Sequence, residues 1–444
     1  MNFEEALVLL NDWLVEKTGK RLTMIEIEIL RGTLEGKTYD EMEISGYASG
    51  YIRMKIAPDL WKRLSMLIGG QRLVTKKNMQ FVLMNELEKR SLSSPLQQFD
   101  LESQKQLKPP SYIDWGESPD IISIFYAREK ELATLEQWII RDQCRVIEIA
   151  GIGGIGKTAL VKELATQIQD QFEFIIWRSL FSSPPIKNIL TELIEFFSQQ
   201  QEPNLPQDSS SLISKLIEYL RSHRCLLILD NLETILQPGE LAGSYRQGYE
   251  DYGYLIKQVG ETLHQSCLII TSREQLREIA LRQEGSSPVR SLILQGLDKN
   301  AAMQILSNRG LLDQEQWGAL IDLCNGNPLA LQLATGTIKW VFGGYVSNFL
   351  EMEAFTFNFD GFLDRQFERL SSLEKQIMSV LAMTSNAITI KELQEQLQPK
   401  VSLSELIKAI QSLLMRSLIT RLMNEKEPFF TLHPLLKKYV KDRD

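Results

Sequence analysis

Histidine is scarce in this chain, with three in 444 residues, and cysteine nearly so, with four. Cys144, Cys225, Cys267 and Cys324 lie far apart and form no CxxC pair, which argues against a zinc site. Three of them sit in or beside apolar runs, as buried free thiols of a reducing compartment do. No apolar run approaches the roughly 20 residues of a membrane span. The opening stretch, MNFEEALVLL, carries acids where a secretory leader needs bases. These absences lead to the expectation of a cytoplasmic protein with no membrane contact. An excess of positive charge is also missing. Lys and Arg number 49 against 57 Asp and Glu, a net charge of −8, so nucleic acid would need a local basic patch. What remains is ordinary globular material, 43% hydrophobic and 24% charged, in a length that suggests two to four domains.

Apolar spacing divides the chain. Residues 1–90 read as helical, with helical periodicity in Phe3–Val15 and Met24–Leu34. Residues 91–118 are rich in Ser, Gln and Pro and read as a linker. Within 119–297, short apolar runs alternate with helical segments: Val146–Ala150, Phe174–Arg178, Cys225–Asp230, Cys267–Ser272 and Leu292–Gln295. That alternation predicts a parallel sheet covered by helices on both faces. Residues 298–350 return to helix. Residues 351–444 carry three helical patterns, then two short strands, Leu418–Leu422 and Phe429–Leu432, around a polar turn at 424–426, as in a winged helix. The expected fold class is multidomain α/β plus α: a P-loop NTPase sheet, then helical and winged-helix domains, with a small helical domain ahead of it.

Gly151-Ile152-Gly153-Gly154-Ile155-Gly156-Lys157-Thr158 matches GxxxxGK[ST] between an apolar strand and a predicted helix, Ala159–Gln169. That context separates a phosphate loop from a mere glycine-rich turn. Its amides can converge on a polyphosphate, with the helix N-terminus behind them. Lys157 is expected at the β- and γ-phosphates and Thr158 on Mg²⁺. Cys225-Leu-Leu-Ile-Leu-Asp230 is an apolar strand ending in an acid, suited to complete the magnesium shell as a Walker B Asp does. Many buried strands end in Asp, but the P-loop upstream makes the pairing specific. Asn231 follows and cannot take a proton, and the nearby Glu233 has no direction fixed by the sequence and can point elsewhere, so hydrolysis is expected to be slow. Leu268-Ile-Ile-Thr-Ser-Arg273 is a third such strand. Arg273 reads as a γ-phosphate sensor, or as a surface arginine in an ion pair.

Together these residues resemble the NB-ARC group of STAND ATPases, from about Asp114 to the end of the chain. The markers are Phe125-Tyr-Ala-Arg-Glu129, the P-loop, Leu229-Asp-Asn231, Thr271-Ser-Arg273, Gly326-Asn-Pro-Leu329 and Leu432-His-Pro434. The resemblance implies an ATP- or ADP-binding protein with Mg²⁺, closed over ADP at rest, that oligomerises with nucleotide state. It places Arg128 in the segment lining the adenine pocket, Ala159 beside the phosphate loop, Pro328 against the adenine and His433 on the β-phosphate. Three positions depart from the family pattern: Ala127 stands where Gly is usual, Asn231 replaces a second acid, and Pro434 stands where Asp is common. Pro328 also suits the first turn of a helix at Leu329–Ile338, and His433 also reads as an ordinary interface histidine.

Leu22–Leu34, Thr38–Ile44 and Ser49–Leu60 read as helix, turn, helix, with Gly46 in a turn, and this unit looks like the helix-turn-helix domain ahead of NB-ARC modules in some bacterial signalling proteins. From Tyr51 to Arg90, nine basic residues face three acidic ones. Arg53, Lys55, Lys62 and Arg63 are therefore candidate DNA contacts, while an adaptor that recruits protein fits the segment equally. Ile52, Ile56, Leu60, Leu64 and Leu67 follow core spacing, and Trp61 reads as a core anchor. The leading expectation is a slow signalling ATPase. Alternatives are a nucleotide-gated DNA-binding regulator and a non-hydrolysing scaffold holding ADP. No repeat array follows the winged helix in this sequence, so the expectation is a trigger supplied by a partner, a regulator, or a truncated form.

Overall fold

The computed structural model describes residues 22–34, 37–42, 49–67, 75–76, 112–119, 127–202, 204–280, 287–307, 309–352, 360–424 and 427–443. Phe3–Val15, Ile44, Gly46, Phe125 and Tyr126 lie outside them. The chain divides into two units, Met1–Lys105 and Gln106–Asp444.

In the first unit, α1 (Met24–Leu34) is followed by a turn around Tyr39 and by α2, which runs continuously from 49 to 67 with a π-helical turn at Ile52–Ile56. The helix therefore extends past the expected end at Leu60. Ile29, Leu30, Ile52, Leu60 and Leu64 are buried between the helices, which is the i, i+4 stripe an amphipathic helix presents to its partner. Trp61 donates from Nε1 to the Tyr39 hydroxyl at 2.8 Å. Arg53 pairs with Asp40 at 2.9 Å and Arg63 with Glu26 at 3.2 Å, while Lys55 and Lys62 are exposed.

The second unit begins with β1 (Tyr112–Asp114), inside the stretch read as linker. Tyr112–Asp114 pairs in parallel with Phe174–Ile176. Three residues beside a Pro pair are too few to show a period, which is why composition hid this strand. Next come α3 (Glu129–Glu136), β2 (Val146–Ala150), α4 (Lys157–Ile168), β3 (Phe174–Ser179), α5 (Ile186–Phe197), α6 (Ser209–Ser222) and β4 (Cys225–Asp230). Then follow α7 (Glu250–Glu261), β5 (Cys267–Ser272), α8 (Arg277–Ala280) and β6 (Val289–Ile293). The six strands form one parallel sheet in the order β1-β3-β4-β5-β2-β6.

Alternation along each strand sends side chains to opposite faces. Ile147, Ile149, Ile175, Trp177 and Ile228 meet Leu160 and Leu164 of α4 on one face. Phe174, Ile176, Leu227, Leu229 and Leu268 meet α5, α6 and α7 on the other. All four cysteines are free and buried. The last strand starts three residues earlier than the sequence predicts, at Val289 instead of Leu292. Its interior, Arg290 and Ser291, is polar because the strand lies at the sheet edge and is only partly covered.

The remainder is helical: α9 (Lys299–Ser307), α10 (Trp317–Cys324), α11 (Pro328–Val341), α12 (Val346–Glu351), α13 (Asp360–Phe367), α14 (Ser372–Met383), α15 (Ile390–Gln396) and α16 (Leu403–Met415). Ser371–Glu374, Thr389–Glu392 and Ser402–Glu405 form capping boxes that start α14, α15 and α16. The strands β7 (Ile388–Thr389), β8 (Ile419–Asn424) and β9 (Glu427–Leu432) make an antiparallel sheet. A helix that the sequence reading lacked, α17 (Pro434–Lys441), follows this wing. One core, from Leu297 to Val440, joins all of these elements. Among the described residues, no helix is long and apolar enough to cross a membrane.

Candidate functional site

The site lies at the carboxyl ends of the central strands β2, β4 and β5, where ligands of open parallel sheets bind. β2 runs into the loop 151–156, and α4 starts at Lys157 with Gly156 as its left-handed N-cap, φ 102°. Gly154 has φ 69°, and a Cβ there would lie 2.6 Å from the Leu329 Cβ. Glycine is required at that position both by conformation and by close approach. Ile155 is buried, Ile152 is half-buried and Ala159 lies in the first turn of α4. Lys157 is buried, and its Nζ donates to Gly151 O at 2.7 Å and Ile152 O at 3.2 Å. Burial lowers its pKa to about 8, opposed by the nearby Glu233 and Asp230 carboxylates and aided by Arg273.

Asp230 ends β4 and is 5% exposed. It accepts from the Thr158 hydroxyl at 3.0 Å, from Asn231 Nδ2 at 3.0 Å and from the Thr271 hydroxyl. Burial raises its pKa, while the Thr271 and Thr158 hydroxyls pull it back. The Asn231 side chain is thus bonded to the neighbouring acid, and its backbone is left-handed, φ 64°. Glu233 had no assigned direction in the sequence. It turns inward, is 6% exposed, and pairs through Oε1 with Arg273 Nε at 2.9 Å. Arg273 sits at the end of β5, so Lys157, Thr158, Asp230, Glu233 and Arg273 converge on one sheet edge.

Arg128 stands on the other side of the loop. Ala127 takes φ 52° and Arg128 φ 83°, so the turn where Gly is usual forms with two side chains in the left-handed region. The Arg128 guanidinium donates to Ile155 O at 3.2 Å and Gln295 O at 2.8 Å, and pairs with Glu131 at 2.7 Å. It thereby ties the phosphate loop to the chain leaving β6.

Three C-terminal segments reach the same loop. Pro328 opens α11, and the N-cap Asn327 accepts from Ala330 N at 3.1 Å while donating to Gly153 O at 2.9 Å. Gln366 on α13 accepts from Gly153 N at 3.4 Å. His433 caps α17, its Nδ1 accepting from Leu435 N at 3.2 Å, which leaves the proton on Nε2. That Nε2 is buried without a partner, and burial holds the ring pKa down at about 4. His433 faces a cavity of about 230 Å³ that Ile152, Ile155, Gln295 and Asn327 also line.

Behind Arg273 runs a buried ion network. Glu274, 2% exposed, pairs with Arg369 and with Arg416 at 3.2 Å. Arg416 reaches Glu374 at 3.2 Å and donates to Glu240 O at 2.7 Å. The Ser412 hydroxyl donates to Glu374 at 2.6 Å and accepts from Ala242 N at 2.7 Å. These contacts bolt the sheet edge to α14 and α16. Gln366, Arg369 and Arg416 carry no motif and Glu374 only that of a helix cap, so packing alone brings them here.

The donor set fits a nucleotide with Mg²⁺: a glycine-shaped amide loop, a buried ammonium, a hydroxyl–carboxylate pair, and unpartnered donors on Gln366 and His433. Among the described residues no group of three or more His, Cys, Asp or Glu converges as a metal cage. Mg²⁺ would therefore be held by Thr158, Asp230, water and the nucleotide's own oxygens.

Residues 128–236 match the model of the NB-ARC domain, and residues 1–86 match that of the vWA-MoxR associated protein N-terminal HTH. A WD repeat-containing protein of Nostoc is 43% identical over 343 residues, which are 74% of this chain and 27% of that protein. This chain thus spans about a quarter of that relative. The Arabidopsis thaliana disease resistance protein RPM1 is 29% identical over 96 residues, 20% of this chain and 10% of its own length. The crystal structure of a STAND protein with a tetratricopeptide repeat sensor from Pyrococcus horikoshii aligns with TM-score 0.39 and 18% identity, covering 74% of this chain and 44% of that one. With the P-loop at its sheet edge inside the matching residues, this chain carries an NB-ARC domain, preceded by a segment similar to the N-terminal HTH of vWA-MoxR associated proteins.

Proposed function

We propose that this protein is a switch that binds ADP and ATP with Mg²⁺, hydrolyses ATP slowly and changes shape and self-association with the nucleotide it holds. One observation carries the reading: Asn327, from the helical segment, donates to the P-loop carbonyl of Gly153 at 2.9 Å. A ligand in the loop therefore acts directly on elements outside the α/β sheet. A switch needs ligands that bind its two states with different strength. Arg273 supplies a contact for a third phosphate, and His433 one for a diphosphate. Arg128 and Pro328 border the base.

Lys157 and the loop amides would bind the phosphates, and Thr158 with Asp230 would hold the magnesium. A magnesium ion held by them would supply neutralisation of the charge that develops on a transferred phosphoryl group. Slow turnover follows from two features. Asn231 donates to Asp230 and offers no base, and Glu233 is engaged by Arg273. For the N-terminal unit we favour a protein partner over DNA, because Arg53 and Arg63 are already paired with carboxylates of their own unit. Titration of random duplex at two salt concentrations tests this. Tight, salt-dependent binding would reverse the preference.

The switch is tested by denaturing purified protein, identifying the released nucleotide by chromatography, and measuring the mass of the native protein with ADP and with ATP. Released ADP and a larger assembly with ATP are expected. No released or rebound nucleotide, or one mass throughout, would end the proposal.

A further inference from the structure

Gln366 is 4% exposed, and its Oε1 accepts from the backbone N–H of Gly153, at the crest of the phosphate loop. Its amide nitrogen, Nε2, is equally buried and meets no acceptor. A buried, unsatisfied N–H is costly, and native structures seldom carry one without a use. The same segment carries Arg369, which grips Glu274 beside Arg273. Two side chains three residues apart thus reach the loop crest and the neighbour of Arg273.

The amides that open α4 suit the phosphate nearest the helix. Gly153, further along the loop, is where a longer phosphate chain would seek its next donor. Resting on the nucleotide-binding reading above, we propose that Gln366 is a nucleotide-contacting residue that makes the closed site selective for a nucleoside diphosphate over a triphosphate. Its carbonyl holds the Gly153 N–H that a third phosphate would claim. Its free N–H donates to the terminal phosphate oxygen of the diphosphate. A triphosphate must displace the side chain, and with it the start of the segment that carries Arg369. Gln366 is thus a contact for the ligand and a lever on the winged helix.

Calorimetry with Mg²⁺, using ADP and the slowly hydrolysed ATPγS, tests the proposal on the whole chain. In Gln366→Ala, ADP binding is expected to weaken by about tenfold, the loss of one hydrogen bond to a charged acceptor. ATPγS binding is expected to hold or tighten, so the preference for ADP falls about tenfold. Gln366→Leu keeps the volume and removes the orphaned donor. It leaves the Gly153 N–H without its acceptor in exchange, and should show the same loss of preference in a nucleotide-stripped protein that melts close to wild type. Equal weakening of both nucleotides, or an unchanged preference in both variants, would overturn the role of Gln366 while leaving the P-loop reading intact. Failure of the wild type to bind either nucleotide would overturn the P-loop reading and this inference with it.

Discussion

Arg273 and Glu233 form a two-point contact: Nε to Oε1 at 2.9 Å, and the Arg273 backbone N–H to Oε2 at 3.3 Å. One carboxylate thus fixes both the side chain and the main chain of the arginine at the end of β5. Removing the arginine alone strands a carboxylate that is 7% exposed. Arg273→Ala should therefore lower stability by about 3 kcal/mol in urea unfolding of the nucleotide-free protein. Glu233→Gln on that background should restore part of the loss. A double variant no more stable than Arg273→Ala would contradict the pairing.

Lys157 binds phosphate only when charged, and burial puts its pKa at about 8 in place of 10.5. Above that value each pH unit removes up to tenfold of the competent form. ADP affinity should therefore weaken about tenfold between pH 7 and pH 9. Stability of the nucleotide-free fold moves the opposite way. Between about 8 and 10.5 the unfolded chain binds more protons at this residue, so its contribution rises with pH. Titrations across that range, with Lys157→Ala as the non-binding control, check both signs.

Glu148, in the middle of β2, is fully buried, and its Oε1 accepts from Leu276 N at 2.7 Å. Burial raises its pKa to about 8, so it is neutral in the fold at pH 7. The unfolded chain releases that proton near 4.5. The contribution of Glu148 to stability is thus complete below 4.5 and declines as pH rises to about 8. Glu148→Gln keeps the acceptor and needs no proton. Its melting temperature should match wild type at pH 4.5 and exceed it at pH 8, by several degrees. A uniform drop at both pH values would refute this assignment.

Arg416 is 3% exposed and serves Glu274, Glu374 and Glu240 O. Arg416→Ala leaves two buried carboxylates with one arginine between them and should cost about 3–5 kcal/mol. The damage should appear first as faster proteolysis between the sheet and α14. Cleavage at wild-type rate would place the hold between these segments elsewhere.

The parts of this site that were legible in the sequence are those whose function needs neighbours in the chain. A phosphate loop must be six or so consecutive backbone amides with a Lys and a Thr after them, so it is written as a motif. Asp230 and Arg273 were readable because each ends an apolar strand. Gln366 lies 213 residues from the amide it touches, and Arg369 95 from Glu274. No local pattern records such pairings, because the packing of α13 and α14 against the sheet edge creates them. The inward turn of Glu233 was hidden for the same reason. Its direction depends on a 3₁₀ turn at Leu232–Ile235 that starts from the left-handed Asn231. The early start of β6 reflects a different limit. An edge strand tolerates Arg290 and Ser291, so hydrophobicity alone placed it three residues late.

Asn327 uses one amide group twice, its nitrogen on Gly153 O and its oxygen on Ala330 N. The two bonds depend on a single rotamer. The cap is local to the helix and would outlast a departing loop. What leaves with the loop is the acceptor of the amide nitrogen, so the helix start keeps its shape while its tether to the phosphate loop is released.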